Sequence, residues 1–437
     1  MRGMRGGAGW RVTMSGAVTL GVVVVLVGLG VAFASPRGAS GPSTMLGSSV
    51  FPGYPAVAAD GTKGFDAVWA DRKITTAHWS AATRRWTRAV GLHGSVPGQW
   101  EPQIAASSSG AAVILWTQGR SSSPQDVEAS YRRAGATEWP TPVTLFSTRL
   151  DSGVSEIPQV GMDGRGDAFA AWVTSHGLYV AEHPATAGSW SAPVNVPRAG
   201  LQAFAVSSDG AAVAVWEELR GGISSAATGH VYAAVKPPGR ASWLPKVNLG
   251  LAGNYRLQGD GWIFEPQPRV AINAHGTAFI VWQWPHDDTF YPRVAILRAS
   301  QDWRSPQSMA LPSAGRDPVI AADDRGNATV LWSAEHGIED ADLSPNGQLV
   351  ALRDRGPGAD PRLVADGRGD LAAIWSAAAV RPAGRRWCPQ VHLNAAEDDW
   401  AVAISPDGLG QAIWEHSRGG DHGDAILART LRLCSSG

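Results

Sequence analysis

The sequence predicts an all-β fold, a single β-propeller of four-stranded antiparallel blades, on three observations. Tryptophan recurs as Trp69, Trp116, Trp172, Trp216, Trp282, Trp332, Trp375 and Trp414, at spacings of 39 to 66 residues. Each is preceded by a small-residue strand, a turn carrying Gly or Asp, and a second strand that ends on the Trp. Charged residues make up only 17% of the 437, while Gly (52) and Pro (29) are plentiful, as many short strands joined by tight turns require. Self-similarity at a period of about 49 residues, in β-type units, indicates one closed repeat array in place of two or three ordinary domains. Eight Trp predict eight blades, or seven if one degenerate unit is an insertion.

The chain opens on Arg2, Arg5 and Arg11, followed by an uncharged stretch from Val12 to Pro36 that includes Val22 to Val27 and ends its apolar part at Ala32-Phe33-Ala34. A basic start, an apolar centre and an A-x-A end read as a secretory signal over residues 1–34. The same stretch is long enough for a hydrophobic helix that stays in the bilayer as an anchor over residues 12–36. Either way the repeats are expected outside the cytoplasm, with the three Arg inside in the anchored form. Residues 35–50, rich in Ser, Gly and Pro, read as a linker.

From residue 51 to 437 the propeller is expected. Its first strands are Pro55–Asp60, Pro102–Ser107, Pro158–Asp163, Gln202–Ser207, Pro268–Asn273, Pro318–Asp323, Pro361–Asp366 and Trp400–Ser405. Proline is tolerated where a strand begins, and the alanines suit strands crowded around an axis. Pairs such as Asp163-Gly164, Asp209-Gly210, Asp366-Gly367 and Asp407-Gly408 are expected to supply the positive φ of the hairpin turn. Second strands climb to the Trp in period-two runs such as Ala211 to Trp216. Third strands follow, as in Val231–Val235. A second Trp (Trp86, Trp139, Trp190, Trp243, Trp303 or Trp387) then introduces the fourth. Repeat six lacks that Trp, and repeat eight ends after its third strand. Met45 to Phe51 is therefore expected to supply the missing outer strand and close the ring, which removes an exposed edge.

Two cysteines, Cys388 and Cys434, are candidates for a disulfide in an exported chain. Net charge is −1, and removing the three leader arginines leaves −4. That excludes the basic stripe of a nucleic-acid partner. Spacing gives no metal or cofactor motif and no Gly-x-Ser-x-Gly elbow, and the chain is expected to be a monomer.

Fourteen of the 20 Trp fall at the two repeated positions, which makes them inter-blade packing and not a sugar-stacking set. Function is expected instead on the face shared by the loops after the second strands and the loops joining blades. The first group brings Glu217 and Glu218, then Trp284, His286, Asp287 and Asp288, then Glu335 and His336, and finally Glu415 and His416. The second includes the long stretch Leu249 to Glu265, with Trp262. Paired carboxylates there could cleave glycosides, and a polar rim could instead bind a ligand without chemistry.

The four-stranded units, Asp/Gly turns and Trp over residues 54–433 resemble secreted bacterial β-propellers of the sialidase-like and Asp-box-repeat superfamily. The segment nearest an Asp-box is Ser405-Pro406-Asp407-Gly408-Leu409-Gly410 running to Trp414, between strands one and two of its unit. The resemblance implies an exported propeller that handles glycans. The expectation is a binding scaffold for a glycan or protein met on the long-loop face, with a sialidase-like hydrolase or lyase as the alternative.

Overall fold

The computed structural model describes residues 42–49, 53–61, 64–95, 99–119, 126–147, 154, 157–196, 199–220, 227–255, 266–286, 289–393, 399–416 and 424–434. The expected N-terminal hydrophobic helix lies outside them, and none of the described helices is long and apolar enough to cross a membrane. Thirty-three strands form eight separate antiparallel sheets, so there are eight blades. The helical content among the described residues is one 3-10 turn, Ala299–Gln301.

The first strands of blades 1 to 8 are Gly53–Ala59, Gln99–Ala106, Gln159–Met162, Ala203–Val206, Arg269–Ile272, Arg316–Ala322, Arg362–Ala365 and Trp400–Ile404. Each touches the first strand of the next blade, and the eighth touches the first. In blade 8 the order is Thr44–Ser49, Asp424–Arg432, Leu409–His416, Trp400–Ile404, so an N-terminal strand completes the last sheet. It pairs antiparallel from Thr44 opposite Ala428 to Ser49 opposite Asp424. Blade 6 makes its fourth strand, Leu349–Gly356, without a second Trp.

Apolar packing lies between blades, not on the axis. Second strands are buried throughout in blades 1 and 7 (Gly64–Ala70 and Leu371–Ile374), whereas the first strand of blade 5 is half-buried at all four residues. A first strand pairs on one edge with the second strand and packs its faces against neighbouring blades. Its remaining exposure is therefore axial, and the small side chains leave a water-accessible channel where the sequence suggested only crowding. Trp116, Trp172, Trp282, Trp332 and Trp375 are fully buried in the inter-blade clusters, with Trp69, Trp216 and Trp414 nearly so. Five of these indoles (Trp116, Trp172, Trp332, Trp375 and Trp414) have no protein acceptor for their N–H, so packing alone holds them. Glycines from the preceding inter-blade loop lie on three of the rings. A Cβ on Gly200, Gly315 or Gly358 would come within 3.0, 2.1 and 2.4 Å of Trp216, Trp332 and Trp375 respectively.

The first hairpin turn repeats more closely than the sequence suggested. Its opening residue is Asp60, Ser107, Asp163, Ser207, Asn273, Asp323, Asp366 or Ser405, all buried. Asp163 Oδ1 accepts the backbone N–H groups of Arg165, Gly166 and Asp167 at 2.9, 2.9 and 2.8 Å. Ser207 Oγ accepts Ala211 N–H at 2.9 Å, and Asn273 Oδ1 accepts Thr277 N–H at 2.9 Å. Seven turns carry their positive φ on the glycine three residues after that opener, as at Gly166 (99°), Gly210 (91°), Gly369 (94°) and Gly408 (78°). Gly164 and Gly367 are thus not the positive-φ residues of their turns. The loop is a tight turn closed by a left-handed residue, a geometry that opens four residues earlier than a simple Asp-Gly pair implies.

Two further struts tie blades together. Arg132 of blade 2 grips buried Asp66 of blade 1 through both oxygens (2.9 and 2.5 Å), while His78 Nδ1 lies 3.0 Å from the same carboxylate. Arg381 of blade 7 reaches Asp342 and Thr329 of blade 6, each at 2.7 Å. Cys388 and Cys434 form a disulfide with Cα atoms 5.6 Å apart, fixing the end of blade 8 to blade 7.

Candidate functional site at the channel mouth

The upper face carries the ends of the second strands and the starts of the first. Five residues there share one position, immediately before the proline that opens a first strand: Tyr54, Glu101, Gln267, Asp317 and Asp360. All have positive φ, at 54°, 52°, 44°, 52° and 47°, although none is glycine. Proline supplies no N–H to the ladder, and pairing register shifts at these places in blades 1, 2 and 6. The result is a bulge that turns the residue before it out of the sheet. Left-handed backbone at a side-chain-bearing residue costs of order 1–3 kcal/mol and survives only where surroundings enforce it. Here Gln283 Oε1 holds Asp317 N–H at 3.2 Å, and Ser333 Oγ holds Asp360 N–H at 3.0 Å.

The ring divides into two arcs. Around blades 8, 1 and 2 stand Asp399, Glu415, Tyr54 and Glu101. Burial and then Asp399 push the Glu101 carboxyl above its usual range. Burial, then Glu101, Asp399 and Glu415, push the Tyr54 phenol up in the same way. Glu415 donates its backbone N–H to Asp399 O at 3.0 Å. Around blades 5 to 7 stand Arg269, Asp317, Asp360 and Arg362. Burial and Asp360 raise the Asp317 carboxyl, an effect opposed by Arg269, Arg316 and Arg362.

Of the residues expected from sequence, Glu415 belongs to the acidic arc and is buried, with His416 half-buried beside it. Glu218 is engaged structurally: it accepts Trp216 Nε1–H at 2.9 Å and pairs with Lys246. Glu217 is half-buried, its backbone N–H held by Gln202 Oε1 at 3.0 Å. On the long blade-5 hairpin His286 stacks on Trp284, centroids 4.9 Å apart at 12°, and Arg293 lies 5.0 Å over the same indole. Glu335 and His336 are exposed at a tight turn of blade 6. Trp262, Asp287 and Asp288 lie outside the described residues. The candidates thus share a face but sit on four separate blades.

Sequence reasoning missed Tyr54, Glu101, Asp317, Asp360, Asp399, Arg269 and Arg362. The usable signal was the repeated proline itself: a polar residue precedes it in blades 1, 2, 5, 6 and 7.

On the lower face, Asp60, Asp66 and His78 bring potential ligand atoms within 4.8 Å of one another. Because Arg132 occupies both oxygens of Asp66, a guanidinium stands where a cation would need free lone pairs, and the group is a strut between blades. An apolar groove of about 520 Å³ on the wall of blades 3 and 4, lined by Trp216, Trp243 and Leu244 among others, includes only Trp216 from the repeated set and none of the mouth residues.

These features define a protein of the β-propeller architecture with a bulged, polar channel mouth. Among solved structures it is similar to the Dos1 propeller, at 10% identity and a TM-score of 0.50, covering 88% of this chain and 93% of that one. It is also similar to a protein of unknown function from Dyadobacter fermentans (9% identity, TM-score 0.45, covering 91% and 99%) and to the polysaccharide lyase Uly1 (10%, 0.44, 89% and 91%). At such identities the likeness speaks to the fold alone. No protein-family model matches the chain, and no curated protein matches it.

Proposed function

We propose that this chain is an exported binding scaffold whose glycan or protein ligand is met at the upper channel mouth. One observation carries the reading: five non-glycine residues in left-handed backbone occupy the same position around that mouth. Strain repeated at one structural position, on polar side chains facing an open channel, is the pattern of a ligand clamp. Export is supported by the basic and apolar character of residues 1–34 and by the paired cysteines. The test is retention on an array of glycans and on a panel of purified extracellular proteins, comparing the wild type with Tyr54→Ala, Asp360→Ala and, on the lower face, Arg165→Ala. Loss of retention in the first two alone supports the reading. Equal retention by all variants places the ligand elsewhere.

A second reading, a glycan-active hydrolase or lyase, is favoured by one specific feature. Glu101 has a raised carboxyl beside Asp399 and Glu415, the asymmetry that separates a general acid from its ionised partner. Turnover of aryl glycosides that disappears in Glu101→Gln and Glu415→Gln supports it; retention of glycan without release supports the scaffold.

A further inference from the structure

The residue just after the strand-opening proline, or its equivalent, forms a second layer of the channel: Ala56, Gln103, Gln159, Ala203, Arg269, Val319, Arg362 and Ala401 in blades 1 to 8. Two arginines stand in this layer, on either side of blade 6, with Val319 between them. Both are anchored by backbone carbonyls at the mouth. Arg269 Nη1 donates to Pro268 O at 3.1 Å, and Arg362 Nη1 donates to Pro361 O at 3.2 Å and Asp360 O at 3.3 Å. Among the described residues neither guanidinium has a carboxylate oxygen within 4.0 Å. By contrast, Arg132, Arg353, Arg355 and Arg381 of the inter-blade struts are all so paired.

We propose that Arg269 and Arg362 form an oxyanion-binding site inside the channel, taking the sulfate, phosphate or carboxylate group of an acidic ligand. A guanidinium offers five donors in a planar fork matched to such groups. Each arginine here spends one nitrogen on the backbone and leaves the rest toward the channel. Two cations without close carboxylate partners in a confined, partly desolvated place raise each other's energy, and an anion between them relieves that. Burial and the charge of Arg362 disfavour the protonated form of Arg269 in the empty channel, in keeping with this. The charged groups facing the site are Arg269, Arg316 and Arg362 against Asp317 and Asp360. Arg316 lies 4.4 Å over the Phe290 ring. The Asp317 carboxyl, already pushed toward its neutral form, offsets the positive charge only in part. The site deepens the binding reading above and rests on it, since it supplies the chemical class of the ligand that enters the mouth.

The experiment is calorimetric titration of the whole protein with sodium sulfate, sodium phosphate and sodium acetate, at constant ionic strength held with chloride. A single saturable site for at least one anion is expected, weakened roughly tenfold or more by Arg269→Gln or by Arg362→Gln and abolished by both together. Preference for sulfate and phosphate identifies a tetrahedral group, and preference for acetate a carboxylate. Because no close ion pair is lost, the variants should melt no lower than the wild type without anion. If either fails to fold, Arg269→Lys and Arg362→Lys keep the charge without the fork and should bind with intermediate affinity. Unchanged affinity in the folded variants, or no binding above the chloride control, overturns the proposal. Loss of anion binding alone, with retention still sensitive to Tyr54→Ala and Asp360→Ala, overturns this site and leaves the scaffold reading intact. Arginine-dependent anion binding with retention insensitive to those mouth variants does the reverse.

Discussion

Asp163 offers the sharpest test of how the blades are built. Its side chain is 1% exposed, and Oδ1 alone receives three backbone N–H groups at 2.8–2.9 Å. Asp163→Ala removes all three bonds. The Gly166 donor is buried and has its other contact, to Asp163 O, at a long 3.2 Å. Leaving such a donor unmet costs about 1–3 kcal/mol, and the two half-exposed donors recover part of their loss from water. The total is about 2–4 kcal/mol. Arg165 adds little, because that side chain is 69% exposed. Other blades place Ser or Asn here, so Asp163→Asn should cost about 1 kcal/mol and Asp163→Ser an intermediate amount. The assay is urea unfolding followed by tryptophan fluorescence, with circular dichroism as a second probe. An Ala variant within 0.5 kcal/mol of wild type, or a Ser variant as damaging as Ala, refutes the claim that the opener is a structural cap.

Four other outcomes are expected. Replacing Cys388 and Cys434 by Ser opens a 46-residue separation and should cost about 4 kcal/mol in the chain-entropy model, with the wild type reproducing that loss under reductant in the same melt. Gly315→Ala drives a methyl into Trp332 and should destabilise by about 1–3 kcal/mol, whereas Gly188→Ala, with nothing within 4 Å of its Cβ, should be near neutral in parallel unfolding curves. Asp66 is held below its usual range, despite burial, by His78 and Arg132, so its stabilisation is present above the unfolded carboxyl pKa and vanishes as pH falls through the lower folded value. Asp66→Asn should therefore flatten the acid limb of a melting-temperature profile, and an unchanged limb would remove the strut from the account. Glu101 is raised, so the folded state resists its ionisation; Glu101→Gln should melt at the same or a higher temperature than wild type at pH 7, with the difference shrinking as pH falls toward 4.

The blade count and the order of strands were legible because Trp at the end of a second strand is needed by every inter-blade cluster, and packing that repeats leaves a repeating letter. Turn chemistry was half legible. Asp163-Gly164 drew attention to the right place, yet the strained residue is Gly166 and the hydrogen-bonding work belongs to Asp163. The mouth was the least legible part. Its bulged position is held by Tyr, Glu, Gln and Asp in turn, so no single letter recurs, and the proline that creates it read only as a strand start. Glycines on the indoles left a fainter trace: Gly200, Gly315 and Gly358 precede their Trp by 16 or 17 residues. Glu218 shows the opposite error. Next to a repeated Trp and acidic, it stood out as a ligand-binding residue, and it caps that Trp instead.

Because Thr44–Ser49 completes the sheet of Asp424–Arg432, the last blade is assembled from the two extremes of the ordered chain. Seven blades can form one after another as residues become available, each from a contiguous stretch. The eighth cannot, since its outer strand is made first and its partner last. The early strand must therefore wait through the synthesis of more than 370 residues with its hydrogen bonds unmet. Until then the growing arc has two raw ends, and its final joining is a long-range event of the slow kind. A chain halted before Asp424 should thus keep most of its secondary structure while failing to become a ring, leaving both ends open to pair with another copy.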